Sequence, residues 1–290
     1  MPARAVVSVV TASTQTEGGG FVVRRPFPSR QLEQLDPLLM LDEMGPVSYA
    51  PGQALGAPDH PHRGFETVTY ILEGEAEHAD SSGHAGSMGP GDVQWMTAGA
   101  GVVHREMPSR RMQREGGRMH GFQLWVNLPA AHKRVPPRYQ EIKAATIPGA
   151  TSADGRATVR VIAGEALGAA AVIETRTPIL YQHWSLQAGA AVELPLPADH
   201  EVGVYVFEGE LQVAGVAVRA GQLAVLGAGE AVSFAAAAPA QALVLGGRPL
   251  GEPVAWGGPF VMNTREEVLE AYADYRAGRM GRIPPEIVRA

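Results

Sequence analysis

The second half of this chain repeats the first. Tyr70-Ile71-Leu72-Glu73-Gly74-Glu75 is answered by Tyr205-Val206-Phe207-Glu208-Gly209-Glu210, and Pro90-Gly91 with Ala98-Gly99 is answered by Ala220-Gly221 with Ala228-Gly229. The two matches differ in spacing, and the difference falls at the Asp80–His84 stretch, a loop where a deletion costs little. Two copies of one domain account for the pattern. A length of 290 residues allows two domains of roughly 100 to 200 residues, each with its own core. The Pro-rich stretch Val135-Pro136-Pro137 marks the boundary, giving expected domains 1–135 and 136–290.

Within each copy the pattern is that of strands. Residues 5–10 (AVVSVV), 64–72 (GFETVTYIL), 93–96 (VQWM) and 122–126 (FQLWV) are β-branched, aromatic or alternating, and are broken by Gly18-Gly19-Gly20, Gly74, Gly89-Pro90-Gly91-Asp92 and Gly99-Ala100-Gly101. Short strands at roughly 8 to 12 residue intervals with glycine turns predict an all-β sandwich or barrel. The LLMLDEM run inside 27–44 fits a buried strand or a short helix equally well. One helix is expected at the C-terminal end, where Thr264 and Glu267 form a capping box ahead of Val268, Leu269, Tyr272 and Tyr275.

Two short pairs of metal-ligand residues stand out in the first copy: His60-Pro61-His62 and His104-Arg105-Glu106. Alternate side chains of a strand point to one face, so each pair offers two donors to one point in space. Residues 63–103 between them read as strands and turns that can fold back. Carried across the repeat, His60 and His62 fall on Pro195 and Pro197, and His104 and Glu106 on Phe234 and Ala236, none of which binds a metal through its side chain. The second copy therefore reads as a scaffold without metal. Three imidazoles and one carboxylate leave positions open for an exogenous ligand and suit Fe(II) first, with Mn, Ni, Cu or Zn compatible. Glu66, four residues after His62, is a rival carboxylate or a partner for an imidazole N–H. Its counterpart Glu201 persists where the other donors are gone, which favours a structural role.

The remaining polar candidates read as ordinary surface or core. His78 and His84 flank a hairpin and are expected in solvent, His120 heads a strand, and His132-Lys133-Arg134 reads as a solvated linker. Trp95, Met96, Phe122 and Trp125 are core candidates able to give a site apolar walls. With 24 Lys and Arg against 30 Asp and Glu, the net charge is −6, so the chain lacks a positive field for nucleic acid. There is no cysteine, which excludes disulfides and thiolate chemistry and suits a reducing compartment. No window approaches the roughly 18 apolar residues of a membrane span, and a cytoplasmic protein is expected.

HPHRGFETVTYILEGE, GPGDVQWMTAGAGVVHREMP and GGPFVMNTREEVLEAYADYRAG together resemble the pirin family of the cupin superfamily, over nearly the whole chain. The resemblance implies two tandem double-stranded β-helix (jelly-roll) domains, with iron in the first and a second without metal. It implies His60, His62, His104 and Glu106 as ligands; in a dioxygenase Glu106, as a carboxylate beside the metal, is also expected to be the catalytic general base. It further implies either a quercetin 2,3-dioxygenase acting on a flavonol-like substrate and O2, or an iron-binding redox sensor that regulates through contact with a protein partner.

Overall fold

In the computed structural model, which describes residues 1–285, the chain forms two compact units built from antiparallel sheets. In the N-terminal unit a four-stranded sheet runs in the order Ala57–His62, Val102–Pro108, Ala76–Asp80, Ala85–Met88. A seven-stranded sheet of order Arg138–Ile142, Val93–Thr97, Phe65–Glu73, Gly117–Asn127, Leu38–Tyr49, Phe21–Phe27, Ser13–Glu17 completes it. The second copy repeats the plan. Its four-stranded sheet is Ala190–Pro195, Ala231–Ala236, Glu210–Val213, Val216–Arg219, and its larger sheet has seven strands. The fold is mostly β, two double-sheet antiparallel domains with a C-terminal helix. The ambiguous LLMLDEM run is strand: Leu38–Tyr49 is buried from Leu38 to Glu43, and a strand covered on both faces shows no alternation to read.

The units do not divide at residue 135. Residues 1–13 and 25–40 join 145–250, while 14–24, 41–144 and the chain from Gly251 onward form the other unit. Hydrogen bonding explains the exchange. Val6–Thr11 adds to the edge strand Gln222–Leu226, and the C-terminal segment binds beside the histidine pair through an Arg63–Phe260 bridge. The expected placement of the terminal helix with 136–290 is thereby revised. That helix, Arg265–Arg276, has the capping box at Thr264 and Glu267, buries Val268 and Ala271, and sets Tyr272 edge-on to Phe260 at 4.9 Å. A second, short helix at Arg110–Glu115, capped by Ser109, was not anticipated from the pattern.

Strand register also refines the repeat. His104 pairs with His60 and Val102 with His62, whereas in the second copy Phe234 pairs with Val192 and Val232 with Leu194. The positions facing one another there are Val192, Leu194 and Phe234, rather than Pro195 and Pro197. They are buried in an apolar core with Trp184 and Val204, and they too lack a donor atom. Among the described residues no helix is long and apolar enough to cross a membrane.

Candidate metal centre

His60 and His104 lie directly opposite one another on paired strands, and directly opposite residues of an antiparallel pair point to the same face. His62 shares that face by strand alternation. The rings meet: centroids are 4.7 Å apart for His60 and His62, 4.4 Å for His60 and His104, and 5.0 Å for His62 and His104. One nitrogen from each lies within 4.8 Å of the others. A register shift between His104 and Glu106 places a bulge beside this point, a device that re-aims side chains next to sites.

Tautomers decide what the rings present. His60 Nδ1 lies 2.7 Å from the Pro58 carbonyl, and His62 Nδ1 lies 3.2 Å from the Pro259 carbonyl. A carbonyl only accepts, so both Nδ1 atoms carry a proton, and in the neutral rings that ligate metals both Nε2 atoms carry a bare lone pair. Those two Nε2 atoms are 3.1 Å apart. Two facing lone pairs repel, and a cation between them removes the repulsion. Both ring nitrogens of the buried His104 have no hydrogen-bond partner among the described residues. An orphaned buried nitrogen is costly unless something binds it. Burial, then His104 and His60, hold His62 well below its ordinary pKa; burial, then His60 and His78, do the same for His104. Neutral imidazoles are the form that ligates a metal. The residues present fit a metal ion.

The support around the rings comes from beyond the two motifs. The Pro259 carbonyl orients His62, and Phe65 and Trp125 pack on its ring at 5.0 and 5.1 Å. Arg63 donates to the Ala100 carbonyl and to Asp274, each at 2.7 Å, tying the helix to the histidine strand. Gly64 turns the chain after His62 with φ of +89°, and a Cβ there would stand 2.0 Å from the Val261 carbonyl oxygen. Gly64→Ala is therefore expected to destabilise by more than the roughly 1–2 kcal/mol of left-handed strain alone, measured by denaturant unfolding, and to weaken metal binding by displacing His62.

Other candidates fall differently from expectation. Glu106 is not among the three grouped donors; its oxygens accept from Thr69 Oγ1 at 2.7 Å and Gln123 Nε2 at 2.8 Å. Glu66 accepts from Thr97 Oγ1 at 2.5 Å, its strand neighbour, and strand parity from His62 does not carry through the Gly64 turn between them. His78, expected in solvent, is 3% exposed, pairs with Glu141 and stacks on Tyr139. The Glu141 carboxylate reaches it across Gly86, where a Cβ would stand 2.5 Å from His78 Nε2. His84 does face solvent, against Asp80. His120 is buried on Glu43, which also binds Arg24. Lys133, expected in a solvated linker, is 1% exposed. Thr69 and Gln123 were missed, though a glutamine inside the apolar FQLWV run was a signal. The Pro259 contact is made by backbone and left none.

A pair of cupin units, one with three convergent histidines on adjacent strands, defines a bicupin with a metal-binding site. Residues 20–126 match the family model Pirin, and residues 181–281 match the Pirin C-terminal cupin domain. A pirin-like protein of Caulobacter vibrioides is 43% identical over 281 residues, covering 96% of this chain and 100% of that one. The chain belongs to the pirin family. Among solved structures, quercetin 2,3-dioxygenase from Acinetobacter baumannii is similar at 38% identity and TM-score 0.92, over 97% of this chain and 100% of that one. A bacterial pirin from Escherichia coli in complex with nickel(II) shares the fold at 20% identity and TM-score 0.63, over 83% and 99% of the two chains.

Proposed function

We propose that this protein is an iron-dependent dioxygenase of the quercetin 2,3-dioxygenase type, taking a flavonol-like substrate and O2. The observation that carries the reading is the 3.1 Å approach of the Nε2 atoms of His60 and His62 beside the unpartnered nitrogens of His104. The likeness to the Acinetobacter dioxygenase supports it. His60, His62 and His104 would hold the ion, with Glu106 as the fourth ligand or the base. A ferrous ion there would act as a Lewis acid toward the substrate oxygen and supply electron density to O2.

The chain's own residues then have separate tasks. Glu106, two residues from His104 on the same strand, takes the flavonol hydroxyl proton onto a carboxylate oxygen. Phe65 and Trp125, whose rings pack at a tilt with centroids 4.2 Å apart against the His62 side, form an apolar wall that keeps water away. The carbonyls of Pro58 and Pro259 keep the Nδ1 protons in place, so that Nε2 stays a donor of electrons. Overall, the heterocyclic ring opens with uptake of O2 and release of carbon monoxide. Iron-loaded protein incubated aerobically with quercetin is expected to bleach the flavonol absorbance and evolve CO, and His62→Ala to abolish both. Equal bleaching by the variant would end this reading.

A further inference from the structure

Trp256 is 40% exposed on the short Ala255–Gly257 strand of the unit that holds the histidines. Its one polar atom needs no water, because the indole Nε1–H donates to the Gly258 carbonyl at 3.0 Å. What the side chain shows to solvent is aromatic hydrocarbon. A lone exposed apolar side chain is ordinary, but this one is continuous with the wall of the candidate site. Its ring lies nearly parallel to Trp125, 12° off plane with centroids 5.4 Å apart, and the buried Trp125 packs in turn on His62 and Phe65. A series of aromatic rings thus runs from the histidines to the surface. The outermost ring is also held still. Tyr272 Oη donates to the Gly257 carbonyl at 3.1 Å, and Gly257 sits so close to the helix Arg265–Arg276 that a Cβ would stand 2.3 Å from Val268 Cγ1. An aromatic surface on a rigid support loses little freedom when a ligand covers it, so most of the contact energy is left for affinity.

We propose that Trp256 is a specificity-determining residue, a stacking platform for a planar, multi-ring aromatic substrate whose other end reaches the metal centre. The inference rests on the function read above and adds to it a preference for a long flat substrate over a compact one. A stacked aromatic pair contributes up to about tenfold in affinity beyond the area it buries. A ligand that extends past the edge of Trp125 gains that factor. A one-ring ligand at the histidines leaves Trp125 between itself and the platform, and gains nothing from it.

The test is calorimetric titration of iron-loaded protein with quercetin and with catechol in the absence of O2, for wild type, Trp256→Ala, Trp256→Leu and Trp256→Phe, beside aerobic kinetics with quercetin. Trp256→Ala and Trp256→Leu are expected to bind quercetin about tenfold more weakly and catechol as wild type does, with the kinetic loss in KM rather than in kcat. Trp256→Phe, which keeps a stacking face, should recover most of the quercetin affinity. Leucine keeps an apolar cover over Trp125, so a loss that Trp256→Leu shares with Trp256→Ala marks the missing aromatic face rather than a disturbed fold. Equal weakening for quercetin and catechol, or quercetin affinity untouched in both variants, overturns the platform, and bleaching that still depends on His62 leaves the function standing. Quercetin bound in a Trp256-dependent way but never turned over removes the function and keeps the platform, whereas wild-type protein that does not bind quercetin removes both. A change in tryptophan emission on diluting wild-type protein alone, absent from Trp256→Phe, would put a second copy of the chain on this face and overturn the proposal.

Discussion

A His104→Leu variant is expected to lose metal binding at this centre and yet, metal-free, to melt above metal-free wild-type protein. The two effects have one cause. His104 is 1% exposed and neither ring nitrogen has a partner among the described residues, so the folded metal-free chain carries the full desolvation cost of both. Each buried, unsatisfied polar group costs about 1–3 kcal/mol. Leucine fills a similar volume without a polar atom, so little cavity cost offsets the gain. A net gain of about 2 kcal/mol raises the melting temperature of a unit of this size by roughly 4–8 °C. Calorimetry after chelation, paired with metal analysis of both proteins, measures it. A metal-free variant that melts lower than wild type would show that the ring nitrogens are not a liability, and would remove the stability argument for a bound ion.

The same side chain shows what could be read without coordinates. Placing His60, His62 and His104 together needed only strand alternation, a local property that a sequence displays, and a turn-rich stretch long enough to return. The C-terminal capping box was equally local, with both halves inside Thr264–Glu267. What could not be read depended on distant partners. Glu66 was assigned a face by counting from His62, and Gly64, at positive φ, breaks the count. His78 looked like hairpin-tip polarity because its cover, Tyr139 and Glu141, arrives from a strand far along the chain. The allocation of residues 1–13 and of the chain after Gly251 to units other than their neighbours in sequence follows from sheet pairing across long separations, which no window of residues reveals. The repeat was visible as composition, but its alignment near Pro195 was corrected only by register.

Lys133 is the sharpest case of a charge that reads as solvated and is not, and replacing it is expected to have the second large effect. Its ammonium donates to the Gly64 carbonyl at 2.8 Å, Asn127 Oδ1 at 2.7 Å and the Val261 carbonyl at 3.0 Å. All three protons are used, and one residue clasps the turn after His62 to the C-terminal segment. Burial nevertheless lowers its pKa to about 8, against partial support from Glu252 and Glu267. Lys133→Met removes that buried charge, a gain of about 3 kcal/mol for a shift of this size, but leaves three acceptors without their donor, each costing about 1–3 kcal/mol. The orphaned acceptors outweigh the gain, and a net loss of about 3 kcal/mol is expected near neutral pH. The pH dependence has a definite sign. The lysine is lowered in the folded state to about 8 from its ordinary 10.5, so between those limits the unfolded chain holds a proton that the folded one does not. Wild-type stability attributable to this group therefore rises with pH through that window, and its burial cost is fully present below it. Urea unfolding of both proteins at pH 7 and at pH 10 should show the gap between them widening by about 3 kcal/mol at most. A gap that stays constant would mean that the ammonium is not held dry between these three oxygens.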